Sequence, residues 1–214
     1  PRSAYRVWLS EIMLQQTQVQ TVIPYFERFI TALPDLPTLA HASSDEVMAL
    51  WSGLGYYARA RNLHATAKLC VENHNGDLPV DLDALIALPG IGRSTAGAIL
   101  SQAHGLPLPI LDGNVKRVLT RWRGIEGYPG TSAIERDLWQ LAQTLLPEER
   151  LPDYTQAQMD LGATVCTRAD PACLLCPITD DCIARRDNRT AELPTPKPGK
   201  TLARRECAML VAFD

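Results

Sequence analysis

Residues 88–100 read LPGIGRSTAGAIL: a helix end, a four-residue turn and the start of another helix. Gly90 and Gly92, two apart, let the backbone take positive φ and approach a partner closely. The second helix is expected to begin near Ser94, so N–H groups without an intrahelical acceptor, and the positive end of the helix dipole, face out of the turn. Such a group of amides suits a phosphate and is indifferent to base sequence. An αα-corner closed by a capping glycine is the alternative for the hairpin taken alone. Ser94 also puts a hydroxyl where an amine would serve as a covalent nucleophile.

Outward from the hairpin, the apolar pattern has helical periodicity almost throughout, which makes the chain all-α. Val19, Val22, Ile23, Phe26, Phe29 and Ile30 recur on one face behind a Thr17–Gln20 capping-box spacing, with Pro24 expected to bend or delay the helix. Ser43 with Glu46, and Ser132 with Glu135, repeat the capping box. Shorter helices are expected over 5–15, 58–72, 83–88, 94–103, 114–123 and 153–166. From 186 to 206 proline, lysine, arginine and threonine take over, as in ELPTPKPGKTLARR, which reads as an extended linker. Residues 208–213 have the pattern of a first strand, and a lone strand implies a further domain to receive it.

With 214 residues, 46% hydrophobic and 21% charged, the chain can bury a substantial core and is not a disordered tail. No apolar run reaches membrane-spanning length and no signal-peptide pattern opens the sequence, which predicts a soluble, intracellular, non-membrane protein, cytoplasmic in a bacterium. A net charge of −3 argues mildly against a nucleic-acid partner, yet the positive charge is clustered. Arg59, Arg61, His64 and Lys68 form one group, and Lys116, Arg117, Arg121 and Arg123 another. Local stripes govern phosphate binding more than the total does, although solvated helix faces explain them equally well.

Cys166, Cys173, Cys176 and Cys182 have the spacing C-x6-C-x2-C-x5-C. A single tight pair with one wide arm on each side suits wrapping a [4Fe–4S] cubane, one thiolate per iron, better than the paired knuckles of a zinc site, which is the alternative. Cys70 and Cys207 read as buried small hydrophobes. Two carboxylates complete the inventory. Asp112, in ILDGNVKRV, sits at a helix N-cap, 20 residues after Gly92, where amide donors and the dipole keep it ionised. Glu11, in WLSEIMLQQTQ, is flanked by Trp8, Ile12 and Met13, a setting able to raise its pKa. One acid kept protonated and one carboxylate kept charged is the division of labour that N-glycosidic cleavage requires. Capping alone explains the aspartate, and an exposed helix position would explain the glutamate.

The hairpin, the aspartate loop and the cysteine spacing together resemble the helix–hairpin–helix DNA glycosylases of the endonuclease III superfamily, over about residues 11–182. WLSEIMLQQTQV, GLGYYARARNLH, ILDGNVKRV and MDLGATVC narrow the resemblance to the adenine-specific mismatch glycosylases within it. The resemblance implies a six-helix module (11–116, hairpin 83–103) and an iron–sulfur cluster lobe (117–185, with 1–10 as its N-terminal part) around a DNA cleft, then a linker (186–206) and the start of a Nudix-like domain (207–214). It implies a monomer acting on double-stranded DNA at adenine opposite 8-oxoguanine or guanine, and no strand cleavage, because Ser94 replaces the lysine of bifunctional relatives. Glu11 and Asp112 would be catalytic, with Asn114 orienting water or sugar; Gln16, Thr17, Leu54 and Tyr56 would enter the duplex. Gly90 and Gly92 are assigned to the DNA backbone, with a monovalent or divalent cation compatible with the hairpin site, Arg59, Arg61, Lys116 and Arg117 to phosphates or the domain interface, and Asp160 to the adenine pocket. The family's segment before Pro1 and most of its C-terminal domain are not in this sequence, so weakened activity and poor opposite-base discrimination are expected. A bifunctional glycosylase for oxidised pyrimidines, a DNA-binding redox sensor without catalysis and a zinc-stapled binding module are the competing readings.

Overall fold

A computed structural model describes residues 3–199. Cys207 and the strand expected at 208–213 lie outside the described residues. Among the described residues all regular structure is helical: α1 (Ala4–Leu14), α2 (Val19–Ala32), α3 (Leu36–His41), α4 (Ser44–Trp51), α5 (Ala58–Asn73), α6 (Leu82–Ile86), α7 (Arg93–His104), α8 (Gly113–Arg123), α9 (Ser132–Thr144), α10 (Leu151–Asp160) and α11 (Ile183–Arg186). A π-helical turn, Leu161–Val165, continues α10, and a short 3₁₀ turn covers Cys173–Leu175.

Two apolar cores organise these helices. The first gathers Trp8, Leu9 and Met13 of α1, Phe29 of α2, Leu39 of α3, Trp51 of α4, Leu63 of α5, Leu85 of α6 and Ile99 of α7. The second is built from Ala98, Ile110, Leu111, Val115, Leu119, Leu138 and Ala142. Because Ala98 and Ile99 are neighbours on α7 but belong to different cores, that helix is the wall between them. Residues 4–10, set with the cluster lobe on sequence grounds, supply Tyr5, Val7, Trp8 and Leu9 to the first core. The 116/117 boundary falls inside the unbroken helix α8.

The Ser43–Glu46 capping box is present with both reciprocal hydrogen bonds. The other two are not. Helix α2 starts from Gln18 without a side-chain cap, because the Thr17 hydroxyl instead accepts from Arg59, and the helix runs through Pro24. Helix α9 is entered from Thr131, and Glu135 pairs with Lys116 across to α8 at 2.5 Å. The segment read as an extended linker is anchored at Leu193 and Thr195: Arg121 Nε donates to the Leu193 carbonyl at 2.8 Å, and the Gly127 amide donates to Thr195 Oγ1.

Candidate active site and DNA-facing surface

The hairpin forms as its sequence directs, with one correction. Gly90 has φ +78°, and a Cβ there would lie 2.9 Å from that of Asn62, so both backbone and space require glycine. Gly92 instead has φ −90°, an ordinary extended N-cap that many residues adopt, and nothing lies within 4 Å of the Cβ position. Its place in the turn is open ground beside the first amides of α7. Buried Ile91 and the bond from Thr66 Oγ1 to the Pro89 carbonyl hold the turn to the first core.

Helix α7 then builds the aspartate loop. Ser94 Oγ accepts the Leu111 amide at 2.9 Å, and Gly97 lets the chain at Pro109 lie directly on the helix, since a Cβ would fall 2.4 Å from the Pro109 carbonyl oxygen. Asp112, which follows Leu111, is the N-cap of α8 and its Oδ1 accepts the Val115 amide at 2.8 Å. Helix α1 packs on the same helix α7 and brings Glu11 to this loop. Burial, and then the charge of Asp112 opposite it, push the Glu11 carboxyl up to about 7. The fold thus gives the two carboxylates different tasks: one proton holder near neutrality and one carboxylate pinned by an amide.

Asn114 is the second residue of α8, and its Oδ1 accepts from Arg117 at 2.9 Å, leaving its amide nitrogen to donate. Arg117 also donates to the carbonyls of Gly162, at 2.6 Å, and Cys166, at 2.8 Å. Gly162 permits this approach, because a Cβ there would lie 2.6 Å from that of Asn114. The π-turn therefore presses the backbone that leads to Cys166 against the helix of Asp112 and Asn114.

The four cysteines line one cavity, together with Val118, Leu161, Val165, Pro171 and Ile178. Burial, with lesser contributions from the three other cysteines, raises the Cys176 thiol. Among the described residues no three His, Cys, Asp or Glu side chains are drawn to a single point that would hold one metal ion. Arg121, buried in α8, donates to Cys166 Sγ at 3.4 Å and to the carbonyls of Thr167 and Arg168 at 2.6 and 2.9 Å, which fixes the loop between the first two cysteines. This backbone-holding role for Arg121 has no signature in the sequence beyond a charge on the apolar side of an amphipathic helix.

Other residues predicted for DNA fall into two groups. Gln16 (φ +57°) and Tyr56 (φ +49°) are both exposed and both in the left-handed region, which costs a non-glycine residue about 1 kcal/mol or more and is found where surrounding structure enforces it. Thr17 is half-buried beside Gln16, and Arg61 is exposed. Leu54, by contrast, is buried in the first core, so on that side Tyr56 is the residue presented to the surface. Of the two roles offered to Arg59, phosphate or an internal interface, its place favours the second: it is buried, and its guanidinium donates to the carbonyls of Ile12, Met13 and Gln15. Lys116 is committed to Glu135, and Asp160 is exposed and accepts from Gln156 one turn back on α10.

A helical hairpin that offers bare amides leads into a loop that sets an aspartate opposite a proton-holding glutamate, and comparison with known proteins places this arrangement in a family. The chain belongs to the HhH-GPD superfamily of base excision DNA repair proteins, whose family model matches residues 9–144. It is 49% identical over 186 residues to the adenine DNA glycosylase of Homo sapiens, covering 86% of this chain and 34% of that one. It is 44% identical over 210 residues to the adenine DNA glycosylase of Buchnera aphidicola subsp. Schizaphis graminum, covering 98% of this chain and 60% of the relative. The chain thus spans 56–60% of the length of the Buchnera relatives and 34% of the human one. A thermostable thymine-DNA glycosylase superposes with a TM-score of 0.78 at 26% identity, covering 87% of this chain and 86% of that one. The fold is also that of endonuclease III in a non-covalent DNA complex, at a TM-score of 0.74 and 23% identity, covering 88% of this chain and 86% of that one.

Proposed function

We propose that the chain carries the catalytic part of a monofunctional DNA glycosylase that hydrolyses the N-glycosidic bond of adenine mispaired with 8-oxoguanine or guanine in double-stranded DNA. The observation that carries this is the pairing of Glu11, raised to about 7, with Asp112, fixed by the Val115 amide, on a hairpin that has Ser94 and no amine. The names of the relatives supply the base.

In this reading the amides at the start of α7 take a backbone phosphate, with or without a bridging cation at the turn, and Gln16, Thr17 and Tyr56 enter the stack while the adenine leaves it. Glu11 gives its proton to N7 of adenine, which makes the base a neutral leaving group as the C1′–N9 bond breaks. The bond's electron pair departs with the base, and the sugar becomes an oxocarbenium ion that the Asp112 carboxylate stabilises. Water then adds at C1′, its proton passing to Glu11, and an abasic sugar remains. Asn114, its oxygen already held by Arg117, donates from its amide to that water or to the sugar. Because Ser94 offers a hydroxyl, engaged with the Leu111 amide, and no amine nitrogen from which a C=N bond could be made, this position forms no Schiff base and the strand stays intact. Cys166, Cys173, Cys176 and Cys182 would hold a [4Fe–4S] cluster, which supplies redox capacity that a hydrolysis does not consume. The protein would act as a monomer.

The test uses a duplex with adenine opposite 8-oxoguanine, incubated with the protein and examined with and without hot alkali. Cleavage at the adenine that needs alkali and is abolished in Glu11→Gln is expected. Cleavage without alkali would show a lyase, and a duplex left untouched while still bound would point to the non-catalytic DNA-binding reading.

A further inference from the structure

Arg59 is one of the most heavily engaged side chains in the molecule, and the chemistry above does not use it. It lies on α5, buried, with the guanidinium beneath the surface that carries Gln16 and Tyr56. Its Nη1 donates to the Ile12, Met13 and Gln15 carbonyls at 3.0, 2.7 and 2.6 Å, satisfying the open C-terminal end of α1. Its Nη2 donates to Thr17 Oγ1 at 3.1 Å and to the Gly55 carbonyl at 3.3 Å. The planar group also packs against the rings of Trp51 and Tyr56, 5.4 and 5.3 Å from their centroids.

These contacts share a geometry. Gln15 and Thr17 flank Gln16, Gly55 precedes Tyr56, and Gln16 and Tyr56 are the two exposed left-handed residues on this face. One rigid five-donor fork therefore spans two loops from distant parts of the chain and holds both strained residues at a set separation. It also grips the end of the helix that carries Glu11 four residues earlier. A lysine has the charge but not the fork, and its three donors on one nitrogen cannot reach both loops while lying flat on a ring.

We propose that Arg59 is a positioning residue for base extrusion: it locks the Gln16 and Tyr56 turns into a two-sided wedge, so that binding energy is spent on unstacking a base rather than on ordering the loops. The inference rests on the glycosylase reading of the site. It assigns Arg59 no contact with DNA and no part in the hydrolysis.

The experiment uses Glu11→Gln protein as the non-cleaving parent, and a duplex with 2-aminopurine in place of the target adenine, opposite guanine or 8-oxoguanine. This base is quenched in the stack and brightens on extrusion. Binding is followed separately by anisotropy of a label at the duplex end, and folding by thermal melting. Adding Arg59→Lys or Arg59→Gln to the parent is expected to lower the 2-aminopurine plateau at saturation by about threefold or more, with Kd changed by less than about threefold, since unstacking costs a few kcal/mol that the wedge offsets. The plateau is read per bound duplex, so a smaller folded fraction does not move it. An unchanged plateau overturns the inference alone. Loss of cooperative melting in both variants also overturns it, because the role is then purely structural. A parent that binds but brightens no duplex overturns the glycosylase reading, and the inference with it.

Discussion

At Glu11 the burial that suits the proposed proton donor works against folding. A carboxyl raised from its ordinary range to about 7 stays protonated in the folded protein over a pH interval in which the unfolded chain has already released the proton. Stability contributed at this residue is therefore full at acidic pH and falls as pH rises from about 4.5 towards 7, by about 3 kcal/mol in total on the linkage relation. Glu11→Gln, isosteric and neutral, should match the parent in Tm near pH 5 and exceed it near pH 8; equal Tm values at both pH values would show that the carboxyl is not desolvated. Adenine release should decline above about pH 7 in single-turnover assays, as the proton donor empties. Asp112 separates its two roles differently. Asp112→Asn keeps an N-cap oxygen for Val115 and should cost well under 1 kcal/mol of stability while removing the charge, and with it most of the rate; Asp112→Ala should cost about 1 kcal/mol more through loss of the cap. Urea melts of the two variants beside their rates check this.

At the scale of elements, α7 carries the loop that carries Asp112, and the contact is backbone on backbone. Gly97→Ala would drive a methyl into the Pro109 carbonyl oxygen, so it should destabilise by about 1–3 kcal/mol and slow adenine release even though it touches neither carboxylate. Denaturant melts and single-turnover rates report the two effects, and a variant with native rate would show that the 109–112 segment is held elsewhere. The hairpin, the Ser43 cap and the Asp112 cap were all legible in the sequence, because each is a local pattern whose partners lie within a few residues. What was not legible depended on partners far along the chain. Thr17 and Glu135 have the right spacing for caps and are drawn off by Arg59 and Lys116. The charges of Arg59 and Arg121 read as a surface stripe, and both turned inward because helix ends and a cysteine loop left carbonyls needing donors. Leu54 and Tyr56, two residues apart in one loop, look alike as wedge candidates until the core claims one of them.

For the molecule as a whole, Arg121 ties α8, the cysteine loop and the chain at Leu193 together. Arg121→Lys cannot serve those carbonyls from one nitrogen, so it is expected to cost about 2–4 kcal/mol and to lower the iron content of the purified protein. Metal analysis and a thermal melt test this, and full iron with a native Tm would refute the role. Helix α7 has a wider consequence. With Ala98 in one core and Ile99 in the other, the helix has no face on which change is free. Its history is therefore that of a shared wall: recombination with a relative at any point between the hairpin and the aspartate loop imports one half-fit, and only exchange of both sides together, or of neither, leaves a molecule that still closes.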